Sequence, residues 1–228
     1  MELDPVVEQQ EKLVKAWKFF SKREFLDGFG HISARLPSDR VVISRHALGP
    51  TVSAADFVII DMNGQLVSGQ GSLPGETAIH LEIYGRRSDV GSIGHFHCSY
   101  ATAFAMSERV LEPSYFLAAI FRDGIPVHED PRLVLDSKRG TALAETLGQH
   151  RAALMRSHGV VVTGADVEEM VGVAFILEDN ARRVCLSAAL GPPLALEPET
   201  ARQVEEELLA TRGPFRRIWS LCEDESKE

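Results

Sequence analysis

The chain has little cysteine, no long apolar run and no cluster of basic residues, and each lack excludes a class of protein. Three cysteines, Cys98, Cys185 and Cys222, are too few and too scattered for a disulfide framework. No stretch approaches the roughly 18 apolar residues needed to span a bilayer. The segment from Met1 to Arg23 is charged throughout and lacks the apolar core of a signal peptide. A net charge of −9 without a Lys/Arg block argues against nucleic acid or a membrane as partner. A cytoplasmic protein in a reducing compartment is the expectation.

What the chain does contain is an ordinary globular mixture, 44% hydrophobic and 25% charged over 228 residues. That suits one α/β domain spanning 1–228, with neither repeats nor a linker. Asp4-Pro5 offers a side-chain cap and a proline at the first helical position. Val6, Leu13, Val14, Trp17 and Phe20 then follow at helical spacing. Strands are expected at His31–Leu36, Arg40–Ser44 and Phe57–Asp61, and Asn63-Gly64 marks a hairpin turn into Gln65-Leu66-Val67. Helices are expected from Glu76, over Tyr100–Ala105, Ser137–His150, Asp166 to about Ala189, and Glu199–Thr211. Ser92–His97, Ala153–Ser157 and Val160–Thr163 read as strands. The Pro-containing segment from Val110 to Pro131 has no clear pattern. The core is expected to span about 7–211, with a frayed polar tail at 223–228.

Gly94-His95-Phe96-His97 carries the chemistry. On a strand, residues i and i+2 face the same way, so both imidazoles reach one point while Phe96 turns to the core. Two histidines hold a metal loosely, and a third nitrogen donor closes most of the coordination shell. His158 suits that role, because it ends an apolar strand and precedes a glycine around which the backbone can turn. A His-x-His pair alone also occurs as packed residues. A cupin would place a glutamate a few residues on, whereas Cys98-Ser99-Tyr100-Ala101 follows here. Glu76 starts a helix, where the dipole favours its ionised form, and beside a metal it is a ligand or a proton carrier. His80, one turn on, is expected either to support Glu76 by a hydrogen bond or to pack in the core. Cys98 is expected in the core, and His128 and His150 at the surface.

These pieces, in this order, resemble the class II aldolase/adducin family over about Val7 to Arg183. The matching segments are Gly30-His31-Ile32-Ser33, Asp61-Met62-Asn63-Gly64, Glu76 with His80 and Tyr84, Arg87-Ser88-Asp89-Val90, His95-Phe96-His97 and Ser157-His158-Gly159. The resemblance implies a three-layer α/β sandwich with a central, mostly antiparallel sheet flanked by helices. It implies one divalent ion per subunit, zinc first and Mn²⁺, Fe²⁺ or Co²⁺ otherwise, on His95, His97 and His158, with Glu76 as ligand or acid/base. It also implies a homotetramer with sites between subunits, into which a neighbour's Tyr115 reaches.

The chain departs from the sugar-phosphate aldolases of that family where those hold phosphate. Their asparagine in Gly-Asn-x-Ser is His31 here, their Thr/Gly turn is Ser44-Arg45-His46-Ala47, and their paired serines are Pro74-Gly75. A phosphate dianion needs several aligned donors, and proline supplies neither a hydroxyl nor an amide. Arginine suits a carboxylate instead. The expectation is therefore a carbon–carbon lyase like the family's decarboxylase branch, acting on a hydroxylated aromatic or ring-cleavage-derived carboxylate through an enolate. Ser44, Arg45, His46 and His31 would bind it, and Glu76, Tyr115 or His31 would protonate the carbanion. The alternatives are an aldolase for an unphosphorylated hydroxy-keto acid or sugar, another reaction of the same family such as dehydration or epimerisation, and a non-catalytic metal domain used for assembly.

Overall fold

A computed structural model describes residues 4–227; residues 1–3, where the N-terminal segment begins, and residue 228 of the expected tail lie outside it. One eight-stranded sheet organises the chain. Its strands are β1 (His31–Leu36), β2 (Arg40–Ser44), β3 (Phe57–Asp61), β4 (Leu66–Ser68), β5 (Ser92–Phe96), β6 (Val127–His128), β7 (Ala152–Met155) and β8 (Gly159–Gly164). Their spatial order is β4-β3-β2-β1-β5-β8-β7-β6. Every pairing is antiparallel except β6 with β7. The centre of the sheet is β1 beside β5, in a register that sets His31 opposite His95.

Period-two alternation divides each strand between two cores. On one face Ile32, Ala34, Val42, Phe96, Leu154 and Val160 pack with α1 (Pro5–Lys22), α3 (Ser99–Ala105), α5 (Val167–Ser187) and α7 (Gly213–Glu225). On the other face Val41, Ile43, Ile93, Ala153 and Val161 meet α2 (Thr77–Arg86) and α4 (Ser137–Leu147). The result is an α/β sandwich. Cys98 is buried at the start of α3, as the sequence suggests. Among the described residues no helix is long and apolar enough to cross a membrane.

The caps account for several boundaries. Asp4 accepts the Val6 amide hydrogen ahead of Pro5, and Asp166 accepts that of Glu169 at the start of α5. The unpatterned stretch from Val110 holds a short 3-10 helix, Phe116–Phe121, and the two-residue β6. Neither is long enough to show a period.

Two expectations fail. The core does not end near Thr211: beyond α6 (Pro198–Thr211) lies α7, which buries Phe215, Ile218, Trp219 and Cys222 and runs to Glu225. Its apolar residues recur every three to four positions, but charged neighbours mask the pattern in a composition count. His128 is buried rather than exposed, because β6 tucks it beside Thr146 of α4.

Candidate metal centre

One strand and two loops bring the three histidines together. His95 is the penultimate residue of β5, and His97 lies just past the strand, where its amide donates to Phe25 O. His158 sits in the tight connection between β7 and β8. Ser157, before it, has φ +52°, a left-handed conformation unusual for serine. The neighbouring glycine serves a different purpose from the turn expected of it. A Cβ at Gly159 would lie 2.7 Å from His97 Cδ2 and collide with Phe96 O, so only glycine lets β8 approach the metal-facing end of β5.

Each of the three imidazoles has a buried nitrogen without a partner: Nε2 of His95, Nε2 of His97 and Nδ1 of His158. One ligand atom from each lies within 4.8 Å of the others. His95 Nδ1 donates to Val160 O at 3.0 Å, which leaves Nε2 as a bare lone pair. His97 Nδ1 faces Asp27 Oδ1 at 3.3 Å, the carboxylate–histidine arrangement that orients metal ligands. Buried nitrogens without partners are costly in a protein interior, and a divalent cation between the three rings would take one nitrogen from each. The donor set therefore fits the ion that the sequence suggests.

Glu76 immediately precedes α2 but makes no cap hydrogen bond. Instead of capping the helix, its side chain reaches towards the histidines. Oε1 accepts the Val134 amide hydrogen at 2.8 Å, and Oε2 lies 3.5 Å from His158 Nε2 and 3.8 Å from His95 Nε2. Burial opposes ionisation, but the hydrogen bond with His158, the adjacent His95 and the Val134 amide outweigh it and hold the carboxyl at about 2. A second group of possible ligands, His31, Glu76 and His95, shares this corner.

His31 is brought to the site, with its ring centroid 4.9 Å from that of His95. Its Nε2 is buried and unpartnered. His80 does not support Glu76; its Nε2 meets His31 Nδ1 at 2.6 Å instead. Burial first, then neighbouring imidazoles, pushes His31 well below the usual histidine range and His80 to about 3, so both rings are neutral.

The expected carboxylate clamp is not assembled here. Ser44 is fully buried and accepts the Ile32 amide hydrogen at 3.2 Å. Arg45 donates from Nε and Nη2 to Asp56 Oδ1 at 2.9 and 2.7 Å, on a cavity lined by Gln10, Phe57 and Gly69 rather than by the histidines. His46 is exposed on the turn, held by its amide to Ser72 O. Tyr115 packs against α5 beneath Arg183, 4.8 Å away. Its buried hydroxyl has no partner, and burial with nearby Asp179 raises its pKa. The sequence reading missed Asp27 and Val134. Asp27 sits in a glycine-rich loop with no periodicity, and Val134 contributes only its backbone.

The chain is 26% identical over 175 residues, 72% of its length and 76% of the relative's, to L-ribulose-5-phosphate 4-epimerase UlaF of Salmonella paratyphi B. Its fold matches that of an L-fuculose 1-phosphate aldolase with a TM-score of 0.81 at 23% identity, covering 88% of this chain and 96% of that one. An aldolase II superfamily protein from Pseudomonas syringae matches with a TM-score of 0.87 at 23% identity, covering 99% and 94%. Residues 11–185 match the family described as Class II Aldolase and Adducin N-terminal domain, and the chain belongs to that family.

Proposed function

We propose that this chain is a metal-dependent carbon–carbon lyase that removes carbon dioxide from a hydroxylated aromatic or ring-cleavage-derived carboxylate. The observation that carries this reading is His31: a buried, neutral imidazole with a free Nε2 stands beside His95, at the position where the resemblance to the sugar-phosphate aldolases would put an asparagine. The other phosphate-binding positions are equally unsuited to a dianion. Pro74 spends its carbonyl on Thr77 Oγ1 and offers no donor, Ser44 is sealed in the sheet, and Arg45 is paired with Asp56.

His95, His97 and His158 hold the ion in this reading. When bound, it supplies positive charge that stabilises the electron pair left by bond cleavage, a contribution of several kcal/mol. The chain's own residues do the rest. His31 Nε2 holds a substrate oxygen next to the ion. The Val134 amide fixes Glu76 Oε1, which aims Oε2 into the site. Ionised Glu76 takes the proton of the substrate hydroxyl as it binds. It delivers that proton to the carbon from which carbon dioxide has left, and solvent returns one to the oxygen. Tyr115, packed against α5 of its own chain, is not needed for this step. Exposed Phe29, Phe116 and Leu190 give the chain apolar surface for the homotetramer that the resemblance implies.

A second reading is favoured by the relatives' names: aldol cleavage or epimerisation, with a phosphorylated sugar in the relatives and an unphosphorylated hydroxy-keto acid as the better fit here. The test is to purify the chain with its metal and quantify the ion. Carbon dioxide release from dihydroxy-aromatic carboxylates and oxo-dienoate acids is then compared with aldehyde release from hydroxy-keto acids and sugar phosphates. Chelator-sensitive carbon dioxide release supports the proposal. Aldehyde or epimer formation alone replaces it with the second reading.

A further inference from the structure

Behind His31 runs a chain of hydrogen bonds with only one direction that leaves no buried proton stranded. Tyr84 Oη lies 2.8 Å from Ser33 Oγ, Ser33 Oγ 2.6 Å from His80 Nδ1, and His80 Nε2 2.6 Å from His31 Nδ1. All four residues are buried. Among the described residues, Ser33 Oγ is the acceptor in reach of the Tyr84 hydroxyl, and His80 Nδ1 is the acceptor left for Ser33. His80 must then carry its proton on Nε2 and donate to His31 Nδ1. His31 in turn carries its own proton on Nε2, the atom without a protein partner. Run in reverse, the chain would bury the Tyr84 hydroxyl proton with no acceptor, which native interiors avoid.

We infer that Ser33, His80 and Tyr84 are positioning residues that lock His31 in its Nε2–H tautomer, so that it offers the site a donor for an oxyanion and no lone pair for a metal. A protonated Nε2 cannot coordinate a cation. Of the two overlapping ligand groups, this assigns the ion to His95, His97 and His158 and leaves His31 to bind substrate oxygen. The donor suits a carboxylate or enolate oxygen. The inference concerns the resting protein and stands whether the substrate loses carbon dioxide or an aldehyde.

The experiment is long-range proton–nitrogen correlation on zinc-loaded protein carrying ¹⁵N-histidine, with His31 assigned by its loss in His31→Asn. The expected spectrum shows His31 with a protonated Nε2 and a bare Nδ1, with one zinc per chain. Ser33→Ala is expected to move the Nε2 resonance towards the average of the two tautomers, and Ser33→Thr to restore it. A proton on His31 Nδ1, or zinc on its Nε2, in the unaltered protein overturns the inference without any variant. So does a zinc-loaded Ser33→Ala protein whose His31 resonances do not move.

Discussion

Glu76 accepts the amide hydrogen of Val134 at 2.8 Å, a bond between the start of α2 and a loop 58 residues further along the chain. This contact turns the carboxylate away from its own helix and towards His158 and His95. A residue that precedes a helix thereby becomes part of the metal corner, and its partner contributes nothing but a main-chain N–H.

Glu76→Gln retains an oxygen for the Val134 amide and removes the proton-carrying charge. The expected enzyme binds about the same amount of metal and has a similar KM. Its kcat falls about 10²- to 10⁴-fold, the usual range for a lost general acid–base. Metal quantification with steady-state kinetics checks this, and full activity would remove Glu76 from the mechanism.

Asp27→Ala removes the carboxylate 3.3 Å from His97 Nδ1. Supporting partners of metal-binding histidines are worth about 10- to 100-fold in affinity. Asp27 is half exposed, so the low end of that range is expected, measured by competition with a chelator. Unchanged affinity would make the pair incidental.

The metal-free protein is expected to lose stability as pH falls. His80 is lowered from 6.5 to about 3 and Glu76 from 4.5 to about 2; His31 and His95 also lie well below 6.5. Between its two values each group is protonated more in the unfolded chain than in the folded one. Each therefore removes stability as pH drops, at about 1.4 kcal/mol per pH unit. Histidine losses begin below 6.5 and the Glu76 loss below 4.5. Melting temperature against pH in the presence of chelator measures this. A flat profile from pH 7 to 4 would show that the cluster is not neutral when folded.

Phe215→Ala tests whether α7 belongs to the core. The ring is buried against Gly172 of α5, so its removal is expected to cost about 3–5 kcal/mol. Denaturant unfolding reads the change. A loss below about 1 kcal/mol would restore the view that the core ends near Thr211.

Much of the architecture was legible because local patterns specify it. Alternation in His31–Leu36 and Phe57–Asp61, the Asn63-Gly64 turn and the caps at Asp4 and Asp166 each act over a few residues. The His95-x-His97 spacing belongs to the same class, since a strand alone puts i and i+2 on one side. Local context singled out His158 and Glu76 as candidates, and the family resemblance joined them to that pair, which no local rule does.

The pairings made by tertiary structure were not legible. Helical spacing pointed His80 at Glu76, but Glu76 lies outside the regular turn and reaches away, while the packing of α2 on the sheet brings His80 to His31 of β1. Arg45 was matched to a ligand by chemical type, yet the fold supplies Asp56 first. Sequence by itself determined which side chains can bind metal and which face of each strand they occupy, because both follow from residue type and backbone period. Only the tertiary structure decided which partner each side chain takes, because partners far apart in the chain compete for it and packing settles which of them is near.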